Sequence, residues 1–260
     1  MIEFLDDRVR KTGPPAAVAV EFAKTRQAAA VGKQTGAFYV PEILSFDPDA
    51  GVLEFERLHG FRRMDQLLFD LHPSLDDLIE RAGRALAIIH SHLHLEETRR
   101  IPFPSEWMAG NPDCAFLHGD YCPINIGLDD PTGRLVILDW APTPYLKTNS
   151  TFGPRYFDMT WFVLSTYQSM AATFRKEWAA DRIADTFLKA YLDARTETLS
   201  RHLFRDFQHR VWRLLSSGKS DRLARRSWYR RPIALVREYL TLARFELYRP
   251  GKKVWFPRGP

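Results

Sequence analysis

The sequence predicts an α+β fold in two parts, a small strand-rich beginning and a longer helical remainder. Three observations point there. Two short apolar runs, residues 40–46 and 52–55, flank Asp47-Pro48-Asp49-Ala50-Gly51, whose Pro, Asp and Gly suit a turn between antiparallel strands. Leu75, Leu78, Ile79, Ala82, Leu86, Ile89 and Leu93 then recur at three- and four-residue steps, the period of a helix with one buried face. From about Tyr156 onward the chain reads as mostly helical.

Taken in order, residues 2–11 read as one short strand, which Gly13-Pro14-Pro15 breaks. An Ala-rich helix follows to about Ala30, then the two-stranded unit just described. Ser74 with Asp77 three residues on has the form of a capping-box variant and sets the expected start of the long helix. Residues 115–139 read as a loop, a short strand, the turn Asp129-Asp130-Pro131-Thr132-Gly133 and a second strand over 134–138. The two parts are expected to meet near residues 56–60, giving units of 1–60 and 61–260.

Composition narrows the class. A hydrophobic content of 45% is ordinary for a globular protein. No apolar run reaches the roughly 18 to 20 residues that span a bilayer, so no transmembrane segment is expected. The opening Met1-Ile2-Glu3-Phe4-Leu5-Asp6-Asp7 has neither the basic start nor the apolar core of an export signal. Cys114 and Cys122 offer no disulfide framework and no metal-ligand spacing, which fits a reducing, cytoplasmic setting. The net charge of +5 is unevenly spread: residues 201–260 carry 16 Lys and Arg against 4 Asp and Glu, while the first 200 carry 21 against 28. Any contact with an anionic surface, a membrane periphery included, is therefore expected to fall in the last 60 residues; nucleic acid is not the expected partner.

The residues that carry chemistry lie between His118 and Asp139. Leu117-His118-Gly119-Asp120-Tyr121-Cys122-Pro123-Ile124-Asn125 is followed, fourteen residues after Asn125, by Asp139 in Ile137-Leu138-Asp139-Trp140. Phosphoryl transfer needs a carboxylate near the acceptor hydroxyl and oxygen ligands for magnesium, and Asp120, Asn125 and Asp139 supply those types. The intervening hairpin folds Asp139 back toward the loop.

These residues resemble the aminoglycoside phosphotransferase and choline kinase group, whose members carry His-Gly-Asp, four variable residues, Asn, and then a hydrophobic strand ending in Asp-Trp or Asp-Phe. The resemblance implies a protein-kinase-like two-lobe fold and an ATP- and magnesium-dependent kinase. It makes Asp120 the catalytic base or hydroxyl-orienting carboxylate, Asn125 and Asp139 the metal ligands, and His118 a support for the loop. Phe157-Asp158-Met159 resembles the element that opens a family helix, where the Asp is structural. His90, at the end of a Leu-His helix, is expected to pack or cap. Residues 52–60 resemble the family's strand and hinge, placing the backbone of Glu56 and Leu58 against adenine. In the family a strand lysine holds the nucleotide phosphates and a helix glutamate orients it; Lys11 and Glu21 fit those places, with Arg10 as the fallback.

One departure stands out. The family's glycine-bearing hairpin over the phosphates takes about 15 residues or more, yet ten residues precede Lys11 and none is glycine. The covering hairpin is expected to be absent, supplied otherwise, or cut off by where this sequence starts; the amino-terminal lobe reads as shortened, and a catalytically silent binding protein is the second expectation. Gly32-Lys33 and Gly218-Lys219-Ser220 lack the leading glycine of a phosphate-binding loop, and Cys122 reads as a small packing residue. In the carboxy-terminal region, Phe204, Phe207 and Trp212 alternate with Arg205, Arg210 and Arg213, followed by Arg225, Arg226, Arg230 and Arg231. That pattern admits an anion-attracting surface or a helix with aromatic residues inside and arginines outside. Its charge favours a neutral or anionic acceptor, a small molecule or glycan, over a polycationic aminoglycoside.

Overall fold

The computed structural model describes residues 1–70, 72–111, 113–143, 149–170, 177–196, 200–217 and 231–251. The chain opens with a hairpin of β1 (Ile2–Phe4) and β2 (Arg8–Thr12), where a single strand was expected. Asp6 and Asp7 make the reversal without glycine, closed by the Leu5 amide donating to Arg8 O at 2.9 Å. Polar turn residues inside a run of strand formers hid it from a pattern search. β3 (Ile43–Asp47) and β4 (Val52–Glu56) complete an antiparallel sheet in the order β1-β2-β4-β3, with Lys11 opposite Leu53.

Between β2 and β3 runs α1 (Pro15–Thr35), longer than expected from its alanines. Proline at its start presets the helical φ, and Gly36 ends it in the left-handed region at φ 65°, its amide returning to Gly32 O. The buried face carries Val18, Glu21, Lys24, Thr25, Ala28, Val31 and Gly32, a helical stripe containing two charges. Beyond α1, Tyr39 bridges to Val136 in parallel, its amide donating to Leu135 O at 2.7 Å. This stitch ties the opening unit to a second sheet of β5 (Phe61–Arg63), β7 (Ile126–Asp129) and β8 (Arg134–Ile137).

The rest is helical. α2 (Met64–Asp70) leads to α3 (Leu75–His92), whose Leu78, Ile79, Ala82, Ala85, Leu86 and Ile89 are buried as the periodicity predicts. Ser74 precedes α3 but makes no side-chain cap, so the capping-box expectation fails there; its amide meets His72 Nδ1 instead. After α4 (Ser105–Met108), β6 (Cys114–Phe116) pairs with β9 (Phe152–Pro154). α5 (Tyr156–Met170) is apolar nearly all round and sits in the middle of α6 (Glu177–Arg195), α7 (Arg201–Ser217) and α8 (Arg231–Leu247). On α7, Phe204 and Phe207 are buried while Arg205 and Arg213 are exposed, so the inside-outside pattern holds there. Arg225, Arg226 and Arg230 lie outside the described residues, as does the side chain of Arg231. Cys114 and Cys122 are free thiols, and Cys122 is buried. No described helix is long and apolar enough to cross a membrane.

Candidate active site

Three elements bring Lys11, Glu21 and Asp139 together. Lys11 extends from β2, Glu21 from the inner face of α1, and Asp139 follows β8. Lys11 Nζ donates to Glu21 Oε1 and to Asp139 Oδ1, each at 2.7 Å. Burial opposes the Lys11 charge, but the two carboxylates outweigh it and raise the ammonium's pKa. Burial pushes the Glu21 carboxyl up against the pull of Lys11. At Asp139 the same burial is overcome by Lys11, which holds the carboxyl below its usual range. Asp139 has φ 56°, a region non-glycine residues rarely adopt, at a cost of about 1 to 3 kcal/mol. The next residue shows what over-determines it: Trp140 is buried against His118, and its indole donates to Ile137 O.

The His118-to-Asn125 loop faces this group. His118 Nδ1 accepts the Asp120 amide at 3.3 Å and its Nε2 donates to Leu138 O at 3.0 Å, a tautomer inferred from those partners. Burial lowers its pKa to about 4, so the ring is neutral near pH 7. Gly119 sits at φ 87°, where an added Cβ would meet Thr143 Oγ1 at 2.5 Å; that hydroxyl donates to Gly119 O. Asp120 Oδ1 accepts the Trp161 indole N–H at 2.7 Å, and Oδ2 accepts Asn125 Nδ2 at 3.0 Å. Burial raises the Asp120 pKa, with the Trp161 hydrogen bond opposing and the Asp139 charge adding to the rise.

Beneath the loop, Asp158 takes the amides of His118 and Gly119 at 2.9 Å each and the Nε2 of His90 at 3.1 Å. His90 Nδ1 accepts the Tyr191 hydroxyl at 2.9 Å, which carries the network into α6. Asp158 and His90 are wholly enclosed and support the loop from below. Lys24, one turn after Glu21, is also fully buried; its Nζ donates to His118 O at 2.8 Å and Ala141 O at 3.1 Å. Burial lowers its pKa to about 8, with Asp158 and Glu21 opposing.

Sequence reasoning missed Lys24 and Trp161. The one available signal for Lys24 was its place three residues from Glu21 on a single helix face.

Glu56 and Leu58 stand elsewhere, at the end of β4 and on the connection leaving it. The Glu56 carboxylate accepts the Tyr39 hydroxyl and the Glu42 amide, and Leu58 O accepts the Phe61 amide at 3.4 Å. In the β2–β4 ladder Glu56 is opposite Arg8, three residues from Lys11. The β1–β2 turn lies at this same end, where the Arg57 guanidinium donates to Leu5 O, so that turn does not cover Lys11. No cluster of three His, Cys, Asp or Glu placed to hold a metal occurs among the described residues. Two oxygen-bearing side chains stand beside these groups, the Asp139 carboxylate on Lys11 and the Asn125 amide on Asp120. The Asn125 nitrogen is spent on Asp120, and its oxygen accepts no hydrogen bond among the described residues. That donor set fits magnesium completed by phosphate oxygens.

The fold is the protein-kinase-like α+β fold of choline kinases and aminoglycoside phosphotransferases. A choline/ethanolamine kinase family protein from Mesorhizobium loti matches with a TM-score of 0.60 at 15% identity, over 97% of this chain and 86% of that one. Choline kinase LicA from Streptococcus pneumoniae matches with a TM-score of 0.54 at 16% identity, over 95% and 88%. An aminoglycoside-3'-phosphotransferase of type VIII gives 0.53 at 14%, over 83% and 92%. At these identities the likeness is one of fold. No family model matches the sequence, and no curated protein matches it.

Proposed function

We propose that the protein is an ATP- and magnesium-dependent phosphotransferase acting on a hydroxyl of a small molecule or glycan. The observation that supports it most is the Lys11 ammonium held between Glu21 and Asp139. That arrangement keeps a phosphate-binding cation charged and aimed beside a magnesium ligand. Lys11 neutralises nucleotide phosphates and Glu21 fixes its direction. The backbone of Glu56 and Leu58, about 10 Å along the ladder from Lys11 at strand spacing, meets the adenine edge. Asn125 and Asp139 hold magnesium, which supplies positive charge against the phosphate oxygens. Asp120, steadied by Trp161 and Asn125, orients the acceptor hydroxyl and takes its proton as the oxygen bonds to phosphorus and ADP leaves. Residues 1–60 and 61–260 act as the two lobes that close on the nucleotide. Similar folds named choline kinase and glucosamine kinase support an acceptor of that size.

The test is ADP release with MgATP and choline, ethanolamine or glucosamine, alongside calorimetric titration of MgATP. Asp120→Asn is expected to lower turnover by about 10²- to 10⁴-fold while nucleotide binding persists, because Asn keeps the shape but takes up no proton. Equal turnover in parent and variant would end the assignment. Asp139→Ala and Asn125→Ala are each expected to weaken MgATP binding, the former more since it removes a charged ligand. A second reading is nucleotide binding without transfer. It is favoured by the β1–β2 turn lying away from Lys11, with no glycine hairpin over the site among the described residues. MgATP binding with no ADP formed across the panel selects that reading.

A further inference from the structure

We propose that Lys24 is a positioning residue, which clamps the loop bearing Asp120 and the segment after Asp139 onto α1. A lysine with no exposed surface is uncommon, since removing an ammonium from water is costly unless its protons find acceptors. Two of its three find the His118 and Ala141 carbonyls, 94 and 117 residues away in sequence. One carbonyl precedes Gly119 and Asp120, and the other follows Asp139 and Trp140. The ammonium is therefore the point at which both site segments are tied to one helix. Glu21 stands one turn earlier on the same face and holds Lys11. A displacement of α1 thus moves the lysine–glutamate pair and both segments together.

The clamp has one further support. Thr143 Oγ1 donates to Gly119 O at 3.2 Å, a second link between the same two segments that leaves α1 out. Lys24 adds what Thr143 lacks, attachment to the helix.

The inference rests on the phosphotransferase reading only for its nucleotide arm. Lys24→Met keeps the length of the stem and removes the donors; Lys24→Leu is the second variant. Amide hydrogen exchange, read by mass spectrometry, is measured on parent and variants without nucleotide and with MgATP. Without nucleotide, exchange over 117–125 and 139–143 is expected to rise by about tenfold or more as two charge-assisted bonds are lost, with α3 and α6 unchanged. With MgATP, the parent shows added protection in both segments, and the variants lose most of that over 117–125. A uniform rise across the chain or failure of both variants to fold makes Lys24 a general stability residue, and no rise in either segment shows that its bonds do not hold them; each overturns the proposal. A parent that binds no MgATP removes the phosphotransferase reading, while exchange without nucleotide still decides the clamp.

Discussion

Burial governs His118 more than any charged neighbour, and this gives the site a predictable acid limit. Its ordinary pKa of about 6.5 falls to about 4 in the folded chain. Between those values the unfolded chain binds the extra proton and the folded one does not. Stability is therefore present above pH 6.5 and lost as the pH falls toward 4, by up to about 3 kcal/mol for one fully shifted histidine. His90, lowered in the same direction by burial, adds to this limb, so His118→Gln is expected to flatten the dependence rather than remove it. Urea denaturation at intervals from pH 7 to 4 reads it; parallel curves for parent and variant would count against His118. At this scale Asp120, Asn125 and Asp139 could be picked out as candidates by residue type, order and spacing together. Lys11 and Glu21 were legible as a strand lysine before a helix glutamate. Lys24 was not, because a lysine on an amphipathic helix ordinarily reaches water, and no local pattern reveals carbonyls waiting for it from two distant loops.

Elements were legible in proportion to their period. α3 shows its buried face over its whole length, and its packing makes a sharp prediction at Gly83. A Cβ there would stand 2.4 Å from Phe187 O, 3.0 Å from Ala190 Cβ and 3.1 Å from Tyr191 N, all on α6. Alanine is the better helix former by about 1 kcal/mol, yet two of those neighbours are backbone and cannot turn aside. Gly83→Ala is expected to destabilise the protein by about 1 to 3 kcal/mol as the helices part. It also displaces Tyr191, which holds His90 beneath the His118-to-Asn125 loop. A midpoint in urea equal to or above the parent's would show that α6 yields freely. By contrast, the β1–β2 hairpin escaped the sequence because its two strands are three and five residues long and its turn is Asp-Asp. The end of α1 escaped because Gly32 sits inside the helix and Gly36 ends it. Gly32 stays there for packing, with Phe38 O 2.5 Å from the place a Cβ would take.

For the whole molecule, the proposed function predicts a linkage between nucleotide and global stability. The opening unit of β1–β4 and α1 meets the rest of the chain through the Lys11–Asp139 pair, the Tyr39–Val136 bridge and the Lys24 contacts. A nucleotide held at Lys11 and Asp139, as proposed, binds the folded chain and not the unfolded one. It therefore stabilises by about 2.7 kcal/mol at one hundred times its dissociation constant. For a chain of this length each kcal/mol moves the melting temperature by about 2 to 4 °C, so saturating MgATP is expected to raise it by about 5 to 10 °C. Magnesium alone is expected to do much less, since Lys11 already neutralises Asp139. Asp139→Ala separates two contributions. It loses the MgATP shift because a charged ligand is gone, and it lowers the melting temperature without nucleotide because Lys11 keeps a single carboxylate partner, Glu21. Differential scanning fluorimetry on parent and variant, each with ATP, magnesium, both and neither, measures all four corners. A parent that melts at one temperature in every condition would remove the nucleotide from the Lys11–Asp139 site, and the kinase reading with it.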